Sequence, residues 1–241
     1  VRFPYMDYGT LERRKAFTRA ELELNRRTAP ELYLGILRLT RDPDGIIDFN
    51  GAGETIEYVL EMRRFEQENL LDRMAENGTL TPALIKRKAD RIRSFHDAAD
   101  SLDAGDAPGA GAAGLRWVVE ENFTEFAAQP GHFDPDEAAL YANCIRTVLE
   151  QTAPLLDARV ADGQAKHCHG DLHLRNICVI DGEPTLFDGI EFNPRFACLD
   201  TLYDLAYFLS DLEVRGRCDL ASLAFHRYLL AAGYDGFSFR P

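Results

Sequence analysis

The sequence predicts an α+β protein of two unlike parts, a small mixed part followed by a larger, mainly helical one. Two observations carry that prediction. Up to residue 63 the apolar residues fall in alternating, β-branched and aromatic runs after a single helix, whereas beyond it they recur at helical spacing between capped ends. Inside the helical part lies one short apolar strand, turn and returning strand, ICVI, DGEP and TLFDGIEF, directly behind a polar loop.

Taken in order, LERRKAFTRAELELNRRTAP reads as a helix. Leu11, Phe17, Leu22 and Leu24 are its apolar positions and Pro30 marks its exit. LYLGILRLT and ETIEYVLEMRRF carry the alternation and the Ile, Val and Tyr content of strands. RDPDGIIDFNGAG between them has turn chemistry with room for a further short strand. The segment 1–63 is thus a helix followed by antiparallel β structure. In 64–241, EQENLLDRMAENG reads as a helix stopped at Gly78, and TPALIKRKADRIRSFHDAAD has Thr81 as N-cap with Pro82 in the first turn. DEAALYANCIRTVLEQTAPLLDARVADG, LDTLYDLAYFLSDLEVR and DLASLAFHRYLLAAG are further amphipathic helices. GDAPGAGAAG holds Gly109, Gly111 and Gly114, a literal GxGxxG. It lies between helices rather than behind a strand, in the Ala, Gly, Asp and Pro composition of a linker, and a linker is expected there.

The bulk composition excludes several classes. The 241 residues are 46% hydrophobic and 28% charged, the balance of a soluble globular protein. A formal net charge of −13 argues against a general phosphate-contacting surface, so no nucleic-acid partner is expected, and it favours cationic small ligands. The 5 cysteines are scattered singly without a CxxC pair, so a disulfide framework is not expected; the reading is reduced thiols in the cytoplasm. No apolar run is long enough to span a membrane and no signal peptide is visible, so no membrane partner is expected.

The chemistry concentrates in HCHGDLHLRN, His167 to Asn176. His167 and His169 alternate as on a strand and, with Asp171, define one alternative, a metal-dependent hydrolase. Zinc sites draw paired ligands from two separate places, however, and an HExxH helix would need a glutamate where Gly170 stands. The bland fate of His167 and His173 is a buried, hydrogen-bonded core position. The spacing His169-x-Asp171-x4-Asn176 is instead that of a kinase catalytic loop. Such a loop needs an aspartate on the acceptor hydroxyl and, a short way on, an asparagine whose neutral amide oxygen suits a hard cation already surrounded by phosphate oxygens. A β-hairpin then brings the chain back to Asp188-Gly189, where a kinase places the carboxylate that is its principal magnesium ligand.

From His167 to Asp211 the chain resembles the aminoglycoside phosphotransferase family, within the protein-kinase-like fold. HGDLHLRN resembles that family's catalytic loop, LFDGIEFN its magnesium-binding segment, and LDTLYDLAYFL its following helix. MDYGTLERR, ELELNRRTAPELYLG and CHGDLHLRN together resemble a bacterial subgroup in which the domain is often followed by a P-loop ATPase or kinase domain. The resemblance implies a two-lobed fold, with a partial N-lobe over 1–63 and a helical C-lobe over 64–241 that carries the catalytic loop 169–176 and the metal-binding segment 188–191. It implies Asp171 as catalytic base, His169 as a brace of the loop, and Asp204 as its buttress. Asn176 and Asp188 would hold Mg2+. Glu21, with Glu23 as rival, would partner an ATP-positioning lysine, and the backbone near Glu61, Met62 and Arg63 would meet the adenine. Glu191 would be a carboxylate beside the metal or the substrate.

One part of the pattern is missing. The family's lysine stands on a strand before the Glu21 helix, whereas Lys15 lies within that helix. The lysine and phosphate loop are therefore expected upstream of Val1 or are absent, and the last helices of the fold are expected beyond Pro241, so these residues alone are not expected to suffice for activity. The expectation is an ATP- and Mg2+-dependent phosphotransferase acting on a small-molecule hydroxyl, in an aminoglycoside-like compound, a sugar or an amino alcohol. A nucleotide-binding regulatory module without turnover, controlling an attached P-loop domain, is the other alternative.

Overall fold

The computed structural model describes residues 2–3, 6–103, 105–129, 131–132 and 134–233. The closing stretch GFSFRP, on which the expectation about the end of the fold rested, lies outside them. The architecture is mixed α+β with small antiparallel sheets, as expected. The chain divides into two compact units, one formed by 1–98, 171–193 and 205–241, the other by 99–170 and 194–204.

In the first unit, short strands β1 (Arg2–Phe3) and β2 (Met6–Asp7) precede α1 (Leu11–Asn25). Thr10 caps α1: its hydroxyl accepts the Arg13 N–H at 3.3 Å, answering one of the helix's orphan donors. Strands β3 (Tyr33–Arg41), β4 (Ile47–Phe49) and β5 (Glu54–Met62) form an antiparallel sheet in the order β4-β3-β5. The RDPDGIIDFNGAG stretch thus contains the short extra strand that its composition allowed. The Arg14 guanidinium donates to Glu57 at 2.6 Å and ties α1 to β5.

Beyond the sheet, α2 (Leu71–Glu76) is shorter than its sequence pattern predicts. Leu70 is extended (φ −69°, ψ 138°) and makes an isolated bridge to Cys178, so the chain there serves the hairpin instead of the helix. Helix α3 (Pro82–Ala98) starts where expected, with the Leu84 N–H on the Thr81 hydroxyl at 3.2 Å. The hairpin is β7 (Ile177–Ile180) and β8 (Glu183–Leu186), in register from Ile177 opposite Leu186 to Ile180 opposite Glu183. Gly182, at φ +85°, makes its turn. Ala29, Leu32, Tyr33, Cys178 and Ile180 bury one another here, with Leu22, Leu60, Phe65 and Phe187 packed against them. Leu32 is wholly inaccessible, a burial worth about 2 kcal/mol of hydrophobic transfer.

In the second unit, α4 (Gly111–Ala127) packs on α5 (Pro135–Ala161), capped by Asp134. The expected linker at GDAPGAGAAG is corrected in part, because α4 already starts at Gly111. A Cβ on Gly109 would lie 2.2 Å from the Arg195 carbonyl oxygen, and one on Gly114 2.4 Å from the Gly109 carbonyl carbon. Close backbone approach accounts for those two glycines without a phosphate ligand. A two-stranded sheet pairs β6 (Ala165–His167) with β9 (Cys198–Asp200), which follows the short α6 (Pro194–Ala197). Leu199 and Asp200, expected to open a helix, belong instead to β9, where they pair with Lys166 and Ala165, and helix α7 (Thr201–Val214) begins only after them. Arg159 holds Asp200 in a bidentate pair at 2.7 and 2.8 Å. Helix α8 (Cys218–Ala231) belongs to the first unit, where it packs on α3.

Candidate active site

The loop from His169 to Asn176 is fixed by backbone hydrogen bonds at both ends. In the second unit, the Asp204 carboxylate accepts the His169 N–H at 3.1 Å and the Gly170 N–H at 2.9 Å. Asp204 is 1% exposed and His169 3%, so a buried carboxylate and two peptide donors satisfy each other immediately before Asp171 in the chain. Gly170 is obligatory: its φ is +83°, and a Cβ there would lie 2.3 Å from the Phe196 carbonyl oxygen. His167 ends strand β6 opposite Cys198.

In the first unit, the Leu174 N–H donates to Asp211 at 2.8 Å, and the Asp211 carboxylate is held in turn by Arg215 at 2.9 Å. A short 3-10 turn, Leu174–Asn176, then delivers Asn176 into the buried start of β7. The Asn176 amide nitrogen donates to the Asp171 carboxylate at 2.9 Å, to the Asp171 carbonyl at 3.0 Å, and to the Asp188 carbonyl at 3.4 Å. One buried amide thereby joins the three residues that the H-x-D-x4-N spacing and the returning strand single out. His173 adds a second contact to Asp171, with Nε2 at 3.4 Å from the carboxylate. Its ring stacks on Tyr207, centroids 6.2 Å apart, and the Asp171 carboxylate raises the His173 pKa above the usual imidazole range. Tyr207 is itself 44% exposed.

Asp188 follows β8 in the left-handed backbone region, at φ +63°. For a residue with a Cβ that conformation costs of order 1 kcal/mol and needs surrounding structure to hold it. Its side chain reaches solvent yet is ringed by protein. That partial loss of water, and then the Asp171 charge, push its pKa above the ordinary aspartate value. Glu21, half-buried on α1, is raised by burial and then by Asp188. Burial first, and then Glu21 and Asp188, push Glu191 up to about 7. Tyr8 is raised too, by burial and by the same two glutamates. The site is thus a cluster of carboxylates on α1, the loop 169–176 and the segment after β8, whose negative charges oppose one another.

The sequence left Glu21 and Glu23 as rivals on α1. Glu23 is exposed and paired with Arg19 at 2.8 Å, whereas Glu21 turns toward Asp188. Lys15 lies over the Tyr58 ring, 5.1 Å from its centroid. Glu61, Met62 and Arg63 end or follow β5 and are exposed. The Arg63 guanidinium donates to Asp181 at 3.0 and 3.2 Å, and the Arg63 backbone N–H donates to the Leu32 carbonyl at 2.8 Å. Two contributors escaped sequence reasoning. Tyr33 and Asn25, nearly inaccessible, receive the backbone N–H groups of Asp188 and Gly189 at 3.0 and 2.8 Å. The signal for Asn25 was a polar residue at the buried end of an otherwise amphipathic helix.

No family model matches the chain. It is similar to two mycobacterial proteins, "Uncharacterized protein Rv2004c" of Mycobacterium tuberculosis and "Uncharacterized protein Mb2027c" of Mycobacterium bovis. With each it is 30% identical over 234 residues, which cover 95% of this chain and 44% of the relative. The chain therefore spans less than half the length of the curated relatives it matches.

Proposed function

We propose that this chain carries the catalytic centre of a phosphotransferase related to the aminoglycoside phosphotransferases, with their kinase-like two-lobed fold, which moves the ATP γ-phosphoryl group to a hydroxyl of a small molecule. The observation that carries the reading is the Asn176 amide, which links the Asp171 carboxylate and the Asp188 backbone. That linkage is what an acceptor-activating aspartate and a two-residue metal site need from the loop between them.

The donors fit a hard divalent cation. The Asp188 carboxylate is open to solvent, and Asn176 is 6% exposed with its amide nitrogen committed to Asp171 and Asp188; among the described residues none donates to its Oδ1, which would be left for a ligand. Asp188 and Asn176 would hold Mg2+, with Glu191 nearby, and such a set of carboxylate and amide oxygens suits that ion. Bound there with ATP, the ion would neutralise charge on the phosphates. The mutual repulsion of Asp188, Glu21 and Glu191 is the cost of an acidic site kept ready for cations.

Asp171 would orient the acceptor hydroxyl and take up its proton as the new O–P bond forms and the γ-phosphorus bond to the ADP oxygen breaks. Asn176 and His173 hold that carboxylate in place, and Asp204 fixes the peptide groups that precede it. Tyr207, exposed beside His173, would offer a flat surface to the acceptor, and the acidic surroundings favour acceptors that carry amines. A P-loop domain linked in the same polypeptide belongs to this proposal, and the length of the relatives outside the matched span is compatible with it.

The reading is tested by ATP binding to the full-length protein, measured calorimetrically with and without Mg2+. Binding that strengthens with Mg2+ and loses that gain in Asp188→Asn supports it. Equal binding with and without the ion would refute it.

A further inference from the structure

We propose that Asn25 and Tyr33 are positioning residues for Asp188, clamping the backbone of its loop so that the carboxylate is set before any ligand arrives. The inference rests on the reading of Asp188 as a metal ligand. It starts from a conflict: Asp188 sits in the left-handed region at φ +63° and faces the charges of Asp171, Glu21 and Glu191. Backbone strain and repulsion both favour the loop swinging away. Something must hold it.

Three consecutive peptide N–H groups are pinned by three separate elements. Phe187 donates to the Asn176 carbonyl at 3.0 Å, Asp188 to the Tyr33 hydroxyl at 3.0 Å, and Gly189 to the Asn25 amide oxygen at 2.8 Å. The first bond is ordinary loop geometry. The other two use the polar atoms of side chains that are 1% and 2% exposed, positions where apolar side chains are the rule. Asn25 is itself oriented from behind, because its amide nitrogen donates to the Glu21 carbonyl at 3.0 Å and so aims the oxygen at the loop. Tyr33 opens β3, with its ring in the cluster of Leu32, Cys178 and Ile180. Buried hydrogen bonds of this kind, fully satisfied at both ends, specify one arrangement.

The clamp also couples two parts of the site. Asn25 lies one helical turn beyond Glu21 on α1, so a displacement of α1 that moves Glu21 also pulls on the Gly189 N–H. Helix α1 and the Asp188 loop therefore shift together.

The test begins with amide hydrogen exchange of the full-length protein without metal or nucleotide. Tyr33→Phe is expected to accelerate exchange at Asp188, and Asn25→Leu at Gly189, each by about tenfold. Mn2+ binding in the presence of ATP, followed by electron paramagnetic resonance, should weaken about tenfold in Tyr33→Phe and Asn25→Leu. Unchanged exchange at both amides overturns the clamp. Faster exchange with wild-type Mn2+ affinity overturns the positioning role. Wild-type protein that takes up no Mn2+ with ATP sinks the phosphotransferase reading and the metal-positioning role together. The exchange data, which need no metal, tell that outcome apart from a failure of the clamp itself.

Discussion

Replacing Glu191 by glutamine should stabilise the protein, and only at the higher pH values. In the fold, burial and the charges of Glu21 and Asp188 push the Glu191 pKa up to about 7, from an ordinary 4.5. An acid raised on folding is best accommodated when protonated, so the stability it allows is fully present below about pH 4.5 and is lost as pH rises through 7. The full difference corresponds to a ceiling of about 3 kcal/mol, and solvent access to the site reduces the expectation to about 1–2 kcal/mol. Glutamine keeps the shape and the hydrogen-bonding capacity without the charge. Urea denaturation at pH 8 should therefore show Glu191→Gln more stable than the parent by that amount, a rise of about 4 °C in thermal midpoint. Most of the gain should be gone at about pH 5, where the folded parent already carries the proton. A variant that gains nothing at pH 8, or gains equally at both pH values, would refute the assignment of a carboxylate disfavoured by burial and by its acidic neighbours.

Three further outcomes follow from the loop and the hairpin behind it. Gly170→Ala should cost about 3 kcal/mol in urea denaturation, because it adds a steric clash with the Phe196 carbonyl to the left-handed strain. Gly182→Ala, at a similar φ of +85° with no atom within 4 Å, should cost only about 1 kcal/mol. In Asp171→Asn the His173 pKa should fall back toward the ordinary imidazole value, read by NMR titration, because the carboxylate that raises it is gone. An unmoved His173 pKa would show that the two side chains do not interact.

Much of the fold was legible because its signals are local. Helix α3 announces itself through Thr81 and Pro82, and the β7–β8 hairpin through ICVI, DGEP and Gly182. The features that were not legible depend on distant residues. Strands β6 and β9 are 3 residues each, too short for periodicity, and exist only because His167 meets Cys198. Leu70 leaves the helical pattern for a bridge to Cys178. At the site, the spacing of Asp171, Asn176 and Asp188 was readable, since a loop and a hairpin join them in sequence. The choice of Glu21 over Glu23 was not, because it depends on which face of α1 meets Asp188. Nor was the role of Tyr33, which reads in sequence as one more aromatic strand residue and acts through a hydroxyl bonded 155 positions away.

The most direct test of phosphoryl transfer is ADP release by the full-length protein with Mg2+-ATP, across a panel of aminoglycosides, sugars and amino alcohols, beside Asp171→Asn. The proposed chemistry predicts release stimulated by an acceptor and reduced by about 100-fold or more in the variant, with ATP still bound. Release that no acceptor stimulates, or that Asp171→Asn sustains at the parent's rate, would contradict it.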